Sequence, residues 1–365
     1  MRILLISAEP IRLRQASDTH VNEIVKRLRA DGHDVTLCVT RVMGPYQRTP
    51  LVRKGAAYLI FWFQTLKRLH RVKVVYARAH PVNFPIAWAV WLMGIPIVHE
   101  INGSYYDVAI THSWLAPFMG IIIAMQRFQY RKANALIAVT HGLARWVREE
   151  APGVAVETIP NGTNCEIFNP ERRAVRPISH DYALFFGSVT RWHGIETMIE
   201  AVKNEAWPAD LDLVVVGEGQ LGEMVQQAAK TDPRIHAMVS VPQETLVGYI
   251  TGAVVGLVPI NTVGGRGRYG LSPLKLYEML ACGLPVIVTD FPDQADLVRS
   301  LDAGVVIPPD DPAALARAVA ELRANPPARE RMMKVAAIIK AENSWDIRVA
   351  EIEKVLARVV EQRKQ

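Results

Sequence analysis

Short runs of β-branched and apolar residues alternate with longer segments of helical periodicity along the whole chain, and the alternation restarts once. Residues 3–6, 35–39, 72–76, 95–99 and 135–139 read as strands, separated by helical stretches such as 21–30 and 114–134. Residues 168–181 (FNPERRAVRPISHD) are polar, charged and Pro-containing, and read as a linker. Beyond them, 183–186, 211–216, 254–258 and 286–289 read as strands, 195–202 as a helix, and 312–322 and 345–361 as a helical tail. Strands separated by helices form parallel sheets covered on both faces. A single core rarely grows past ~250–300 residues, so 365 residues point to two doubly wound α/β domains. In such sheets the ligand site lies outside the carboxyl ends of the strands, and two successive domains place a ligand cleft between them.

Half of the residues are apolar and 21% are charged, ordinary for a globular chain. No apolar stretch reaches the ~18–20 residues of a membrane span, and residues 115–125 (LAPFMGIIIAM) fall short. The opening residues MRILLIS are too short for a signal peptide and read as a first strand. Cys38, Cys165 and Cys282 are scattered, which fits reduced thiols in a cytoplasmic protein and argues against a structural zinc site. Through Pro177 there are 23 Lys/Arg against 12 Asp/Glu, a balance of +11, and the rest has 19 against 24, a balance of −5. Such asymmetry suits contact of one half with an anionic surface. No nucleic-acid motif is present, so no nucleic-acid partner is expected. A membrane surface fits better: residues 58–73 (YLIFWFQTLKRLHRVK) set Tyr58, Phe61, Trp62 and Phe63 beside Lys67, Arg68, Arg71 and Lys73, as an interfacial helix does. The alternative is a helix packed on its sheet with a basic outer face.

Residues 270–290 (GLSPLKLYEMLACGLPVIVTD) are the most informative segment. They read as a loop, a short helix with Ser272 as N-cap and Pro273 at the first position, a turn at Gly283, and a core strand. Lys275 is the odd residue, because a cation in the first turn opposes the helix dipole at ~0.3–1 kcal/mol if exposed. An anion at the same helix end, held by the free amides, would explain it. Lys275 and Glu278 fall on one helical face, apart from Leu276, Tyr277 and Leu280. They suit a phosphate and a hydroxyl-bearing group; an i,i+3 surface salt bridge is the alternative.

Four further motifs point to ligand chemistry. Gly217-Glu218-Gly219 through Gly222 fits G-x-G-x-x-G after a strand, but no acid follows ~20 residues on, which disfavours a nicotinamide dinucleotide and leaves close backbone approach to another nucleotide. Residues 187–194 (GSVTRWHG) follow a strand, with Gly187, Ser188, Arg191 and His193 able to meet a diphosphate; a surface turn is the alternative. Arg266 and Arg268 add cations just before Lys275. Asp210 and Asp212 read as a solvated strand end rather than a metal pair. Asp18 and His20, at the start of the first helix, sit where a cleft rim is expected, with local hydrogen bonding as the alternative; Arg12 and Arg14 precede them.

These segments together resemble family 4 glycosyltransferases of GT-B architecture, over nearly the whole chain. Residues 159–168 (IPNGTNCEIF) resemble the family's "vIPNGvD…F", 186–194 its "FvGrl…KG", 214–219 its "lvivGdG", and Val241-Pro242 its "G.vp" site. Residues 272–286 resemble "SPlKlfEymAcGkPVv", 304–310 "G.lvpp.d", and Ser344-Trp345 "f.sW". The resemblance implies an acceptor-binding domain over 1–170, a nucleotide-sugar-binding domain over 180–340, and a final helix, 345–365, crossing back to the first domain. It implies a retaining transfer of a sugar from a nucleotide diphosphate to a glycan or lipid-linked acceptor, with no metal and no other cofactor, by a peripheral protein at the inner membrane face. Lys275, Glu278 and Arg191 match the catalytic cations and the ribose contact. Gly187, Ser188, His193, Gly217, Glu218, Gly219, Val241, Pro242, Gly270, Leu271, Ser272, Pro273 and Leu274 match the donor site, and Asp18, His20 and Asn102 the acceptor side.

The chain departs from the pattern at four points. Gly270 stands where the first Glu of E-x7-E falls, as in many SPxK members. Ser188 and His193 replace an Arg and a Lys, with Arg191 as substitute cation. Gln15-Ala16 replaces a glycine pair, and Asn102 replaces a His. These changes keep two alternatives open: a sugar-nucleotide epimerase or hydrolase of the same fold, and a catalytically silent donor-binding partner of another transferase.

Overall fold

The computed structural model describes residues 1–9, 16–40, 51–111, 113–172 and 175–363. Arg12, Arg14 and Gln15 lie outside the described residues. The chain divides into two compact units, Met1–Pro160 with Trp345–Gln365, and Asn161–Ser344.

Unit 1 runs β1 (Arg2–Ser7), α1 (Ala16–Ala30), β2 (Asp34–Val39), α2 (Leu51–Leu66), β3 (Val74–Arg78), α3 (Phe84–Leu92), β4 (Ile97–Ile101), α4 (Tyr106–Thr111), α5 (Met119–Arg131), β5 (Ala135–Ala138), α6 (His141–Glu150) and β6 (Ala155–Thr158). Its strands form a parallel sheet in the order β2-β1-β3-β4-β5-β6. β4 begins at Ile97, after Pro96, whose missing amide cannot extend a ladder. The stretch expected to be one helix over 114–134 is a 3-10 turn, Ser113–Phe118, followed by α5, because Pro117 removes a helical donor.

Unit 2 runs β7 (Tyr182–Phe186), α7 (Ile195–Lys203), β8 (Asp212–Val216), α8 (Gly222–Thr231), β9 (Ile235–Met238), α9 (Gln243–Thr251), β10 (Val255–Val258), α10 (Leu274–Ala281), β11 (Val286–Thr289), α11 (Gln294–Leu301), β12 (Gly304–Ile307), α12 (Pro312–Ala324) and α13 (Arg329–Asn343). Its parallel sheet has the order β12-β11-β10-β7-β8-β9. Successive side chains alternate between two cores: Tyr182, Leu184 and Phe186 point to one, Ala183 and Phe185 to the other. Both faces are covered, which is why these strands read as continuous apolar runs.

The final helix, α14 (Trp345–Gln362), belongs to unit 1 and packs on α1. Arg27 Nε donates to Asp346 at 2.7 Å, and His33 Nε2 meets Glu353 at 2.7 Å. The division of the chain falls before the expected linker. Asn161 N donates to Ser272 Oγ at 3.0 Å, Thr163 N to the Asn343 carbonyl at 2.9 Å, and Phe168 is fully buried in the unit 2 core.

The helix expected over 58–73 ends at Leu66, and its apolar side is turned differently from the sequence reading. Phe61 is buried in the core, and Trp62 Nε1 donates to the Val82 carbonyl at 2.8 Å. Of the four expected interfacial aromatics only Phe63 is exposed.

Candidate active site

In unit 2 the order of strands reverses between β7 and β10, and a doubly wound sheet offers its ligand site at that switch point. The loop after β7 (187–194) and the segment leading into α10 both emerge there. α10 is buried on every side, Lys275 at 7% exposure and Glu278 at 8% included. The pair is therefore buried and not on the surface. Lys275 Nζ has no hydrogen-bond partner among the described residues and lies 3.9 Å from the centroid of the Phe185 ring. A Cβ placed on Gly187 would stand 3.2 Å from the same ammonium, so this lysine tip lies against the loop after β7. Burial lowers the Lys275 pKa to about 7, against an opposing pull from Glu278.

Ser272 does not cap α10: the N-cap is Pro273, with no side-chain cap bond. The Ser272 hydroxyl is taken up by the Asn161 amide and by Tyr277 Oη at 2.9 Å, so it ties Asn161 to α10. Leu271 N bonds the Pro292 carbonyl, Leu274 is buried, and Gly270 adopts φ +82°. Val241 packs on the core cluster that holds Leu276, and Pro242 caps α9.

His193 Nδ1 donates to the Ser188 carbonyl at 2.5 Å, which fixes the tautomer and leaves Nε2 as an acceptor. Burial drives its pKa well below the ordinary value, and Lys275 and Arg266 push it the same way. Arg266 lies over the Trp192 ring at 4.5 Å, and Arg191 is exposed on the same turn. The glycines after β8 make a contact that the sequence did not suggest. A Cβ on Gly217 would overlap the Gly187 carbonyl oxygen, and one on Gly219 the Val189 carbonyl oxygen. Val189 N donates to the Glu218 carbonyl at 3.0 Å. The absent side chains thus let this loop approach the neighbouring loop of the chain closely. Asp212 accepts from His236 Nε2 at 2.8 Å, and Asp210 pairs with Arg323, as a structural strand end.

In unit 1 the structure gathers His20 and Asn102 on one carboxylate that the sequence reading left out. Glu100, at the end of β4, bonds His20 Nε2 at 2.8–3.0 Å, Tyr76 Oη and Asn102 Nδ2, and Arg78 Nε stands 3.6 Å away. Burial pushes this carboxyl up, but His20, Arg78 and Tyr76 outweigh it and hold the pKa near 2. The His20 ring meets Trp345 of α14 edge-on at 5.0 Å. Asn102 is exposed, so the network ends in an accessible amide. Asp18 is not bonded to this carboxylate; its Oδ1 accepts from Asn22 Nδ2 at 2.7 Å on its own helix. The signal for Glu100 was present as a carboxylate inside a short strand, IVHEI.

The family model described as Glycosyltransferase Family 4 matches residues 17–167, and that described as Glycosyl transferases group 1 matches residues 180–325. The chain belongs to glycosyltransferase family 4. This glycosyltransferase is 25% identical to a phosphatidyl-myo-inositol mannosyltransferase of Mycobacterium leprae over 98% of its own length and 97% of the relative's. It is 26% identical to a GDP-mannose-dependent alpha-(1-6)-phosphatidylinositol dimannoside mannosyltransferase of Mycobacterium tuberculosis over 61% of each. Among solved structures it is similar to sucrose-phosphate synthase from Thermosynechococcus elongatus, with TM-score 0.80, 19% identity and coverage of 99% and 100%. It is also similar to HepE of Anabaena in complex with UDP, with TM-score 0.72, 14% identity and coverage of 98% and 100%. The two six-stranded parallel sheets of this glycosyltransferase are those of the GT-B fold.

Proposed function

We propose that this glycosyltransferase holds a nucleotide-diphosphate sugar on unit 2 and transfers the sugar, with retention and without an essential metal, to a glycan or lipid-linked acceptor on unit 1. One observation supports this most: the buried Lys275 ammonium, without a hydrogen-bond partner among the described residues, at the switch point of the unit 2 sheet beside Gly187. A diphosphate is the counter-charge that such a site lacks. Arg191 and Arg266 add positive charge on the same loops, and Glu278 is the group for the donor ribose. In the reaction the acceptor hydroxyl bonds to the anomeric carbon on the face from which the nucleoside diphosphate departs. A phosphate oxygen of the leaving group takes the hydroxyl proton. Cations and helix amides aimed at that departing charge stabilise the transition state more than the ground state. His20, Glu100 and Asn102 would orient the acceptor, and the basic half of the chain would meet the anionic inner face of a membrane.

The names of the relatives direct the first assay to GDP-mannose and phosphatidylinositol. Nucleotide release should be measured with UDP-, GDP- and ADP-sugars, with and without acceptor and with EDTA. Turnover that needs the acceptor, survives EDTA and gives a product of retained anomeric configuration supports the reading. An epimerised or free sugar without acceptor favours the isomerase or hydrolase, and binding without turnover favours the silent partner. Donor binding unchanged in both Lys275→Ala and Glu278→Ala would remove the core of the proposal.

A further inference from the structure

Unit 1 contains no Asp or Glu from Val35 to His99 and none from Val108 to Arg148, while Lys and Arg recur through both stretches. Those stretches build α2, α3, the 113–118 turn and α5, and α3 packs against both α2 and α5. Each presents large apolar side chains outward: Ile60 and Phe63 on α2, Trp88 and Leu92 on α3, Trp114 and Phe118 on the turn. Phe63 is 61% exposed, Trp88 50% and Trp114 59%. Cations stand directly beside the rings, Lys67 Nζ at 4.1 Å from the Phe63 centroid and Lys132 Nζ at 5.1 Å from that of Trp91. Along the end of α2 a groove of about 820 Å³ is lined by Leu59, Ile60 and Phe63 together with Lys67, Arg68 and Arg71. No helix among the described residues is long and apolar enough to cross a membrane.

We propose that this face docks on a bilayer containing anionic phospholipid. Trp88, Trp114 and Phe118 enter the interface, and the α2 groove holds one lipid phosphate between Lys67, Arg68 and Arg71. The inference extends the membrane contact proposed above from one basic segment to a surface of three helices and a turn. The chemistry selects lipid over nucleic acid or a protein partner. A polyanion needs the cations but leaves exposed tryptophan, phenylalanine and leucine without a role, whereas the headgroup region takes aromatic rings and cations together. The absence of any carboxylate over both stretches removes the repulsion that an anionic leaflet would exert.

The test uses the full chain and vesicles of phosphatidylcholine alone or with phosphatidylglycerol, read by flotation and by tryptophan quenching with brominated acyl chains. Lys67→Glu with Arg68→Glu and Arg71→Glu should weaken binding to anionic vesicles about tenfold or more. Trp88→Ser with Trp114→Ser should weaken it several-fold, at high as well as low salt, and remove most of the bromine quenching. Parent protein that brominated lipid does not quench overturns the proposal. So does vesicle binding that the charge reversals abolish but the tryptophan changes leave intact, because the face would then be a general polyanion patch. Donor binding in the absence of vesicles should be unchanged in both variants, so its loss with Lys275→Ala reports separately on the proposed function.

Discussion

The Lys275 ammonium lies 3.9 Å from the centroid of the Phe185 ring, bringing the first turn of α10 onto the end of β7. A desolvated cation–π contact supplies about 2 kcal/mol. Burying an unpaired ammonium costs several. The ring therefore offsets only part of the penalty, and the buried ammonium costs the folded protein stability.

Lys275→Met should raise the Tm of the ligand-free protein by several degrees, from about 1–3 kcal/mol of relieved desolvation. The folded pKa lies near 7, below the unfolded 10.5, so the unfolded state binds more protons between those values and parent stability rises with pH there. The gain from Lys275→Met should accordingly be largest at or below pH 7 and disappear near pH 10.5. Calorimetric scans across that range check it, and a lowered Tm would show the lysine to be compensated.

Donor binding should take up protons. Lys275 is half charged near pH 7, and a bound diphosphate would hold it charged. Titration calorimetry in buffers of different ionisation enthalpy should show uptake of about half a proton at pH 7, rising toward one at pH 8. Affinity should fall from pH 7 to 9. Lys275→Arg, which stays charged, should lose that pH dependence.

Glu100→Gln should destabilise unit 1 by about 3–5 kcal/mol, because it strips a buried carboxylate from His20 and Arg78. The Glu100 pKa is depressed to about 2, so its stabilisation is present above pH 4.5 and lost as the pH falls toward 2. Urea unfolding of the variant between pH 5 and 3 should lose stability less steeply than the parent. An unchanged slope would place the acid sensitivity elsewhere.

His99 is fully buried beside Glu100 in sequence, with neither ring nitrogen hydrogen-bonded among the described residues. Burial lowers its pKa from 6.5 to about 4. Below pH 6.5 the unfolded chain takes a proton that the folded chain refuses, so stability falls until about pH 4. His99→Leu should recover about 2–3 kcal/mol of that loss, read from the difference in unfolding free energy at pH 7 and pH 4.5.

Gly194→Ala should cost about 2–4 kcal/mol and weaken donor binding together. Gly194 holds φ +61°, and a Cβ there would overlap the Pro259 carbonyl oxygen. The loop carrying Arg191 and His193 would have to move, and comparison of Tm with donor affinity tests whether the two losses coincide.

The alternation of apolar strands and amphipathic helices specified two doubly wound domains from the sequence alone, because strand period and helix period are local properties. The short edge strands β6 and β9 were not legible, since four residues of weak pattern become strand only when a neighbour offers a ladder. The sequence also marked Lys275 and Glu278 as an odd pair in a helix start, and His20 and Asn102 as separate candidates. It held no information on what surrounds them. Only the tertiary structure set Phe185 under Lys275 and left its ammonium without a hydrogen-bond partner, turned Gly217 and Gly219 toward a neighbouring loop, and joined His20 to Asn102 through Glu100. Those relations depend on strand order, β7 beside β10 and β3 beside β4, and residues brought together across a sheet leave no periodic trace along the chain.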